Sequence, residues 1–116
     1  MNQLTLYGLK NCDTCKKALR GLEGAGRKVA FVDIRAQGDL TEKVPFWLAA
    51  VGADKLINRR STTWRGLSDT EREAAEGDGA AASLIANPTL IKRPVIEDGD
   101  DVFVGWGRDV SEVFVG

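Results

Sequence analysis

Leu4-Thr5-Leu6-Tyr7-Gly8-Leu9-Lys10-Asn11-Cys12-Asp13-Thr14-Cys15 is the stretch on which the fold turns. Residues 3 to 7 alternate and run into Gly8, the pattern of a short strand entering a loop. From Asp13 the spacing becomes helical: Cys15, Ala18, Leu19 and Leu22 share one face, Lys16, Lys17 and Arg20 face outward, and Gly24 with Gly26 stops the run. Cys12 thus stands at the helix N-terminus, and Cys15 lies one turn on, on the inward side. Lys28 to Ile34 reads as a second strand. Two strands separated by one helix predict a βαβ unit with a parallel pair.

These cysteines are the only two in the chain, and a C-x-x-C at a strand-to-helix junction reads as redox chemistry. A structural zinc site needs four Cys or His ligands, and the chain has no histidine, so no metal site is expected. Without histidine there is also no Ser-His or Cys-His pair, and an activated nucleophile must draw on helix position and on Lys or Arg. Cys12 has that position, with Lys10, Lys16 and Lys17 close in sequence and Asp13 acting against them. The expectation is a moderately acidic Cys12 that attacks a disulfide and a Cys15 that resolves the mixed disulfide. The competing reading makes Cys15 a small apolar packing residue.

At 116 residues the chain is expected to form one domain. Apolar residues make up 43% and charged residues 28%, and a net charge of -1 gives no electrostatic case for nucleic acid or an anionic membrane. No window approaches the ~20 apolar residues of a membrane span and no basic leader precedes an apolar stretch, so a cytoplasmic protein is expected, its thiol pair largely reduced.

The middle of the chain is helical. Leu40, Val44, Trp47, Leu48 and Val51 recur at helical spacing, with Asp39 and Glu42 as a capping pair and Pro45 tolerable if the helix begins at about Thr41 or Glu42. Asp54 to Ile57 forms a short turn, Ser68 with Glu71 opens a helix ending near Gly77, and Ala80 to Ala86 forms another ended by Pro88. Strand pattern returns at Val95-Ile96-Glu97 and Val102-Phe103-Val104, joined by Asp98-Gly99-Asp100-Asp101 as a hairpin. A last short helix runs from about Asp109 to Val115.

Two further segments carry chemistry. Asn58-Arg59-Arg60-Ser61-Thr62-Thr63-Trp64-Arg65 sets hydroxyls among arginines with little helical periodicity, the composition of an anion site or of a solvated basic loop. Lys92-Arg93-Pro94 is the second, where a cis Pro94 would turn the backbone toward the thiol loop.

Taken together, Tyr7 to Ala18, Asn58 to Arg65 and Asn87 to Ile96 resemble, in order and over nearly the whole chain, the glutaredoxin-related arsenate reductase (ArsC) family, and within it the YffB branch. The resemblance implies an α/β, thioredoxin-like fold of β-α-β and β-β-α with a helical insertion at about 39–87. It implies Cys12 as nucleophile, with Arg60 and Arg93, beside Lys10 and Asn11, holding an oxyanion or carboxylate. Family arsenate reductases carry a third arginine after the last strand, where the closest alignment puts Trp106, with Arg108 two residues later. YffB-type members have an apolar residue at the place of Cys15, whereas the redox-sensing Spx regulators have the C-x-x-C. The implied activity is a thiol-disulfide oxidoreductase with glutathione as reductant or co-substrate, acting on a small thiol, an oxyanion or a protein disulfide. Arsenate reductase and an Spx-like regulator binding RNA polymerase are the alternatives.

Overall fold

The computed structural model describes residues 3–36 and 39–115. Along the chain the elements are β1 (Leu4–Gly8), α1 (Asp13–Gly24), β2 (Val29–Asp33), α2 (Leu40–Val51), α3 (Ala53–Leu56), α4 (Thr62–Arg65), α5 (Asp69–Glu76), α6 (Ala80–Ala86), β3 (Val95–Asp98), β4 (Asp101–Val104) and α7 (Arg108–Val115), with a 3-10 turn over Pro88–Leu90. Contacts divide them into two units, Met1–Gly38 with Arg93–Gly116, and Asp39–Lys92.

The first unit is a four-stranded sheet in the order β2-β1-β3-β4. β1 runs parallel to β2, as a βαβ connection requires, and antiparallel to β3, which pairs with β4 in a hairpin. Alternation along β1 sends Leu4 and Leu6 to one face, where Leu6 sits in register with Phe31 and Ile96. That face buries Leu4, Leu6 and Ile96 against Cys15, Ala18 and Leu22 of α1 and Val110 of α7. The hairpin turns through Gly99 and Asp100 between the paired Asp98 and Asp101, and Gly99 adopts φ +61°, the left-handed backbone a two-residue loop demands at that position. α1 ends with Gly26 at φ +82° and its amide, with that of Arg27, turned back onto the carbonyls of Glu23 and Leu22, 3.0 Å each.

In the second unit α6 packs against α2 and α5, and Val44, Trp47, Leu56, Ala75, Leu84, Leu90 and Ile91 are fully buried. Two sequence expectations change here. Asp39 precedes α2 but its side chain accepts no capping bond, and the helix begins at Leu40, so Pro45 lies inside it. An interior proline cannot donate to the carbonyl four residues back; that carbonyl belongs to Thr41, which is exposed, where water can take the missing bond. Residues 62–65, read as lacking helical periodicity, form one turn capped by Ser61 Oγ, which accepts from the Trp64 amide at 3.1 Å. A single turn is too short for a periodic pattern to register. At α5 the Ser68-Glu71 capping box is present in both directions: the Glu71 amide donates to Ser68 Oγ at 3.1 Å and the Ser68 amide to Glu71 Oε1 at 2.8 Å.

An antiparallel bridge between Ile57 and Ile91 joins two distant segments of this unit. The Asn58 amide donates to the Leu90 carbonyl at 2.8 Å and the Lys92 amide to the Leu56 carbonyl at 2.7 Å. Among the described residues no helix is long and apolar enough to cross a membrane.

Candidate functional site

At the end of β1 the chain folds back in a turn closed by the Cys12 amide on the Leu9 carbonyl at 3.2 Å, with Lys10 and Asn11 exposed at its tip. Cys12 is the residue before the first turn of α1, in extended conformation, and its carbonyl accepts the first helical bond from the Lys16 amide at 3.0 Å. Its thiol faces the unsatisfied amides of that first turn. Cys12 is partly exposed and Cys15 is buried at 1%.

The two thiols titrate in opposite directions. Burial pushes the Cys12 thiol up, but the Cys15 amide, the Cys15 thiol, the Thr14 amide and the Arg93 guanidinium all donate to its sulfur and leave it below the ordinary cysteine value. The groups that lower it most are therefore helix amides, the Cys15 thiol and one arginine, not Lys10, Lys16 and Lys17 as sequence proximity suggested. Cys15 is pushed up to about 12, first by burial and then by donating its proton toward Cys12; the Leu9 backbone and Arg93 act the other way. One sulfur is a thiolate in waiting, the other its proton-holding partner.

Arg93 reaches Cys12 from the segment before β3, across a cis Arg93-Pro94 peptide bond, which agrees with the reading of Pro94. Pro94 is buried and its carbonyl accepts from the Gly105 amide at 2.8 Å. Gly8, which the sequence marked only as the end of a strand, has a chemical consequence: a Cβ there would lie 2.5 Å from Cys15 Sγ. The bare backbone of β1 is what lets the second thiol lie flat against the sheet.

Trp106 stands toward the far end of α1 from Cys12, and Arg108 is engaged with another partner. A Cβ on Gly21 would meet the Trp106 ring at 2.8 Å, so the indole lies on α1 nine residues beyond Cys12, roughly 13 Å along the helix axis. The ring also stacks on Phe114, 6.5 Å between centroids. Arg108 is 91% exposed and donates from Nε to Glu112 at 2.8 Å.

In the other unit, the bridge between Ile57 and Ile91 gathers Ile57, Asn58, Arg59, Arg60 and Lys92 around a cavity of about 300 Å³. The neighbouring arginines differ in state. Arg59 is tied at 3.1 Å to both Asp54 and Glu76 and lies 5.5 Å over the Trp64 ring, while Arg60 is exposed and its amide rests on Asn58 Oδ1 at 3.1 Å. The role of Arg59 in fixing this turn was not legible in sequence, because its partners lie five and seventeen residues away. No group of three or more His, Cys, Asp or Glu that could hold a metal occurs among the described residues.

The family model described as the ArsC family matches residues 7–114, from the start of the thiol loop into the last helix. The chain belongs to the ArsC family. A solved YffB protein superposes on it with a TM-score of 0.88 at 33% identity, covering 98% of this chain and 100% of that one, which makes the sheet and helices above an arsenate-reductase-type, thioredoxin-like fold. An uncharacterised protein of Haemophilus influenzae is 38% identical over 105 residues, 90% of this chain and 92% of that one. More distant is the regulatory protein MgsR of Bacillus subtilis, 24% identical over 90% of this chain and 83% of that one. The C-x-x-C loop and the Arg93-Pro94 segment meet in one unit, and Asn58, Arg59 and Arg60 of the second motif line a cationic cavity with Lys92 in the other.

Proposed function

We propose that this ArsC-family chain is a thiol-disulfide oxidoreductase that draws its electrons from glutathione. The observation that carries the reading is the hydrogen-bonded trio Cys15, Cys12 and Arg93, with Cys12 the more acidic and more exposed sulfur. Cys12 thiolate attacks one sulfur of a disulfide, forming a mixed disulfide and releasing the other half as thiolate. Cys15 then gives up its proton and attacks Cys12 Sγ, closing the Cys12-Cys15 disulfide and expelling the second thiolate. Two glutathione molecules return the pair to thiols and leave as oxidised glutathione. Formation of the mixed disulfide removes the negative charge on Cys12 that holds the Cys15 proton, so resolution is eased at the moment it is needed. Burial still opposes it.

Arg93 binds the anionic end of the substrate in this reading, with Lys10 and Asn11 at the mouth of the loop, and Arg60 is assigned anion binding in the cavity of its own unit. Arg93 supports it by its bond to Cys12, and Arg60 by its exposed place in the cationic cavity. The arsenate alternative has less support, since Trp106 packs on Gly21 and Arg108 is exposed and paired with Glu112. The relationship to MgsR favours a second reading, a regulator in which the pair is only a switch.

One experiment separates the three. Purified protein is given glutathione with a glutathione mixed disulfide, and in parallel with arsenate. Many turnovers on the disulfide, abolished by Cys12→Ser, are expected; a single stoichiometric oxidation would mean a switch, and turnover on arsenate alone would mean an arsenate reductase.

A further inference from the structure

A cavity of about 270 Å³ opens beside α1 within the first unit, lined by Leu9, Lys10, Cys15, Lys16, Leu19 and Phe31. Cys12 is not among its walls, whereas the buried Cys15 is. Leu9 and Cys15 are buried, Leu19 and Phe31 partly so, and together they make an apolar floor. Lys10 and Lys16 are exposed and come from either side of the turn, so two ammonium groups flank an apolar hollow. Of the residues given a part in disulfide exchange or anion binding, Cys15 and Lys10 border this space, and Cys12, Arg60 and Arg93 do not.

We propose that this cavity binds a small organic anion with an apolar body, of the class of a medium-chain carboxylate. Size and charge select the class. At about 30 Å³ for each water-sized group the space holds roughly nine non-hydrogen atoms, enough for a chain of seven or eight carbons and too little for a peptide. The apolar floor offers no hydrogen-bond partner for a sugar or nucleotide, whereas a carboxylate at the mouth meets Lys10 and Lys16 and its tail lies on Leu9, Leu19 and Phe31. The occupant rests against Cys15 and leaves Cys12 open, so its binding is read on the reduced protein without any thiol exchange.

The test is titration of the reduced, ¹⁵N-labelled full chain with octanoate, and with octanol as its neutral counterpart, followed by amide shifts. Saturable shifts at Leu9, Lys16, Leu19 and Phe31 are expected with octanoate, and binding at least fivefold weaker with octanol, as loss of a charge-assisted contact requires. Lys10→Gln combined with Lys16→Gln, both surface changes, should weaken octanoate by a similar factor and leave octanol unaffected. Equal affinity for the two ligands, absence of saturation, or shifts confined to the Asn58–Lys92 region would each overturn the proposal. No turnover is read, so failure here is distinct from failure of the oxidoreductase reading.

Discussion

Neighbours that donate to the Cys12 sulfur hold its thiol below the ordinary value, and the sign of the resulting pH dependence is fixed. A thiol whose value is lowered is thiolate over a wider range of pH, so alkylation of Cys12 should rise with pH and reach its half-maximum below the ordinary value of about 8.5. Arg93→Lys retains a charge but loses the planar fork, and should move that midpoint upward. Mass-resolved alkylation against pH measures both; a midpoint at or above about 8.5 in the unaltered protein would refute the assignment. Cys15, pushed to about 12 by burial, should stay unmodified across the same range. Its packing sets a second expectation. Gly8→Ala forces a methyl into Cys15 Sγ and should destabilise the reduced protein by about 1 to 3 kcal/mol. In the Cys15→Ala background the sulfur is gone, and the added cost of Gly8→Ala should fall well below that, a non-additivity that urea denaturation of the four proteins reads directly.

Elements end and begin where single side chains close their open backbone groups, and α5 offers the clearest case. Ser68→Ala removes one arm of the capping box and should cost about 1 kcal/mol in thermal or urea unfolding. Glu71 is held below the ordinary carboxylate value by the Ser68 amide and hydroxyl, so its help is present above the unfolded carboxylate range and is lost as pH falls through the lowered value. The penalty of Glu71→Gln should therefore shrink in acid, and an equal penalty at pH 3 and pH 7 would contradict the capping role. Trp106 plays a comparable part for α1, filling the notch above Gly21. Trp106→Arg, which writes the family's third arginine into this chain, should lose roughly 2 kcal/mol or more of stability and confer no arsenate reduction, because that position faces the far end of the helix from Cys12.

At the scale of the whole molecule, Arg60 and Arg93 belong to different units of the chain. Replacing either by Lys should cost about tenfold or more in kcat/KM on a glutathione mixed disulfide, the worth of one charge-assisted bond. If both grip one anion, the double replacement should fall short of the product of the single losses; strict multiplicativity would place them on separate groups.

The amino-acid sequence alone determined what depends on neighbours a few residues apart. The strand-to-helix junction put Cys12 at a helix start and Cys15 on its inner face, the Asp-Gly pair gave the hairpin, and Ser68 with Glu71 marked a helix start, because caps, turns and periodicity act within one or two turns of chain. The first strand pair, parallel across one helix, followed from the handedness and compactness of βαβ connections. Only tertiary structure decided which cation serves the thiol. Three lysines near in sequence gave way to Arg93, eighty-one residues from Cys12 and expected at the site only through the family resemblance, since hydrogen bonds are made by groups that packing brings to the sulfur and no local pattern encodes that. In the same way Asp54 and Glu76 hold Arg59 and leave Arg60 exposed, although the two arginines are chemically identical in the sequence. The place of Trp106 followed from the gap above Gly21, a fit of shapes that exists only once the helix has met the segment after the last strand.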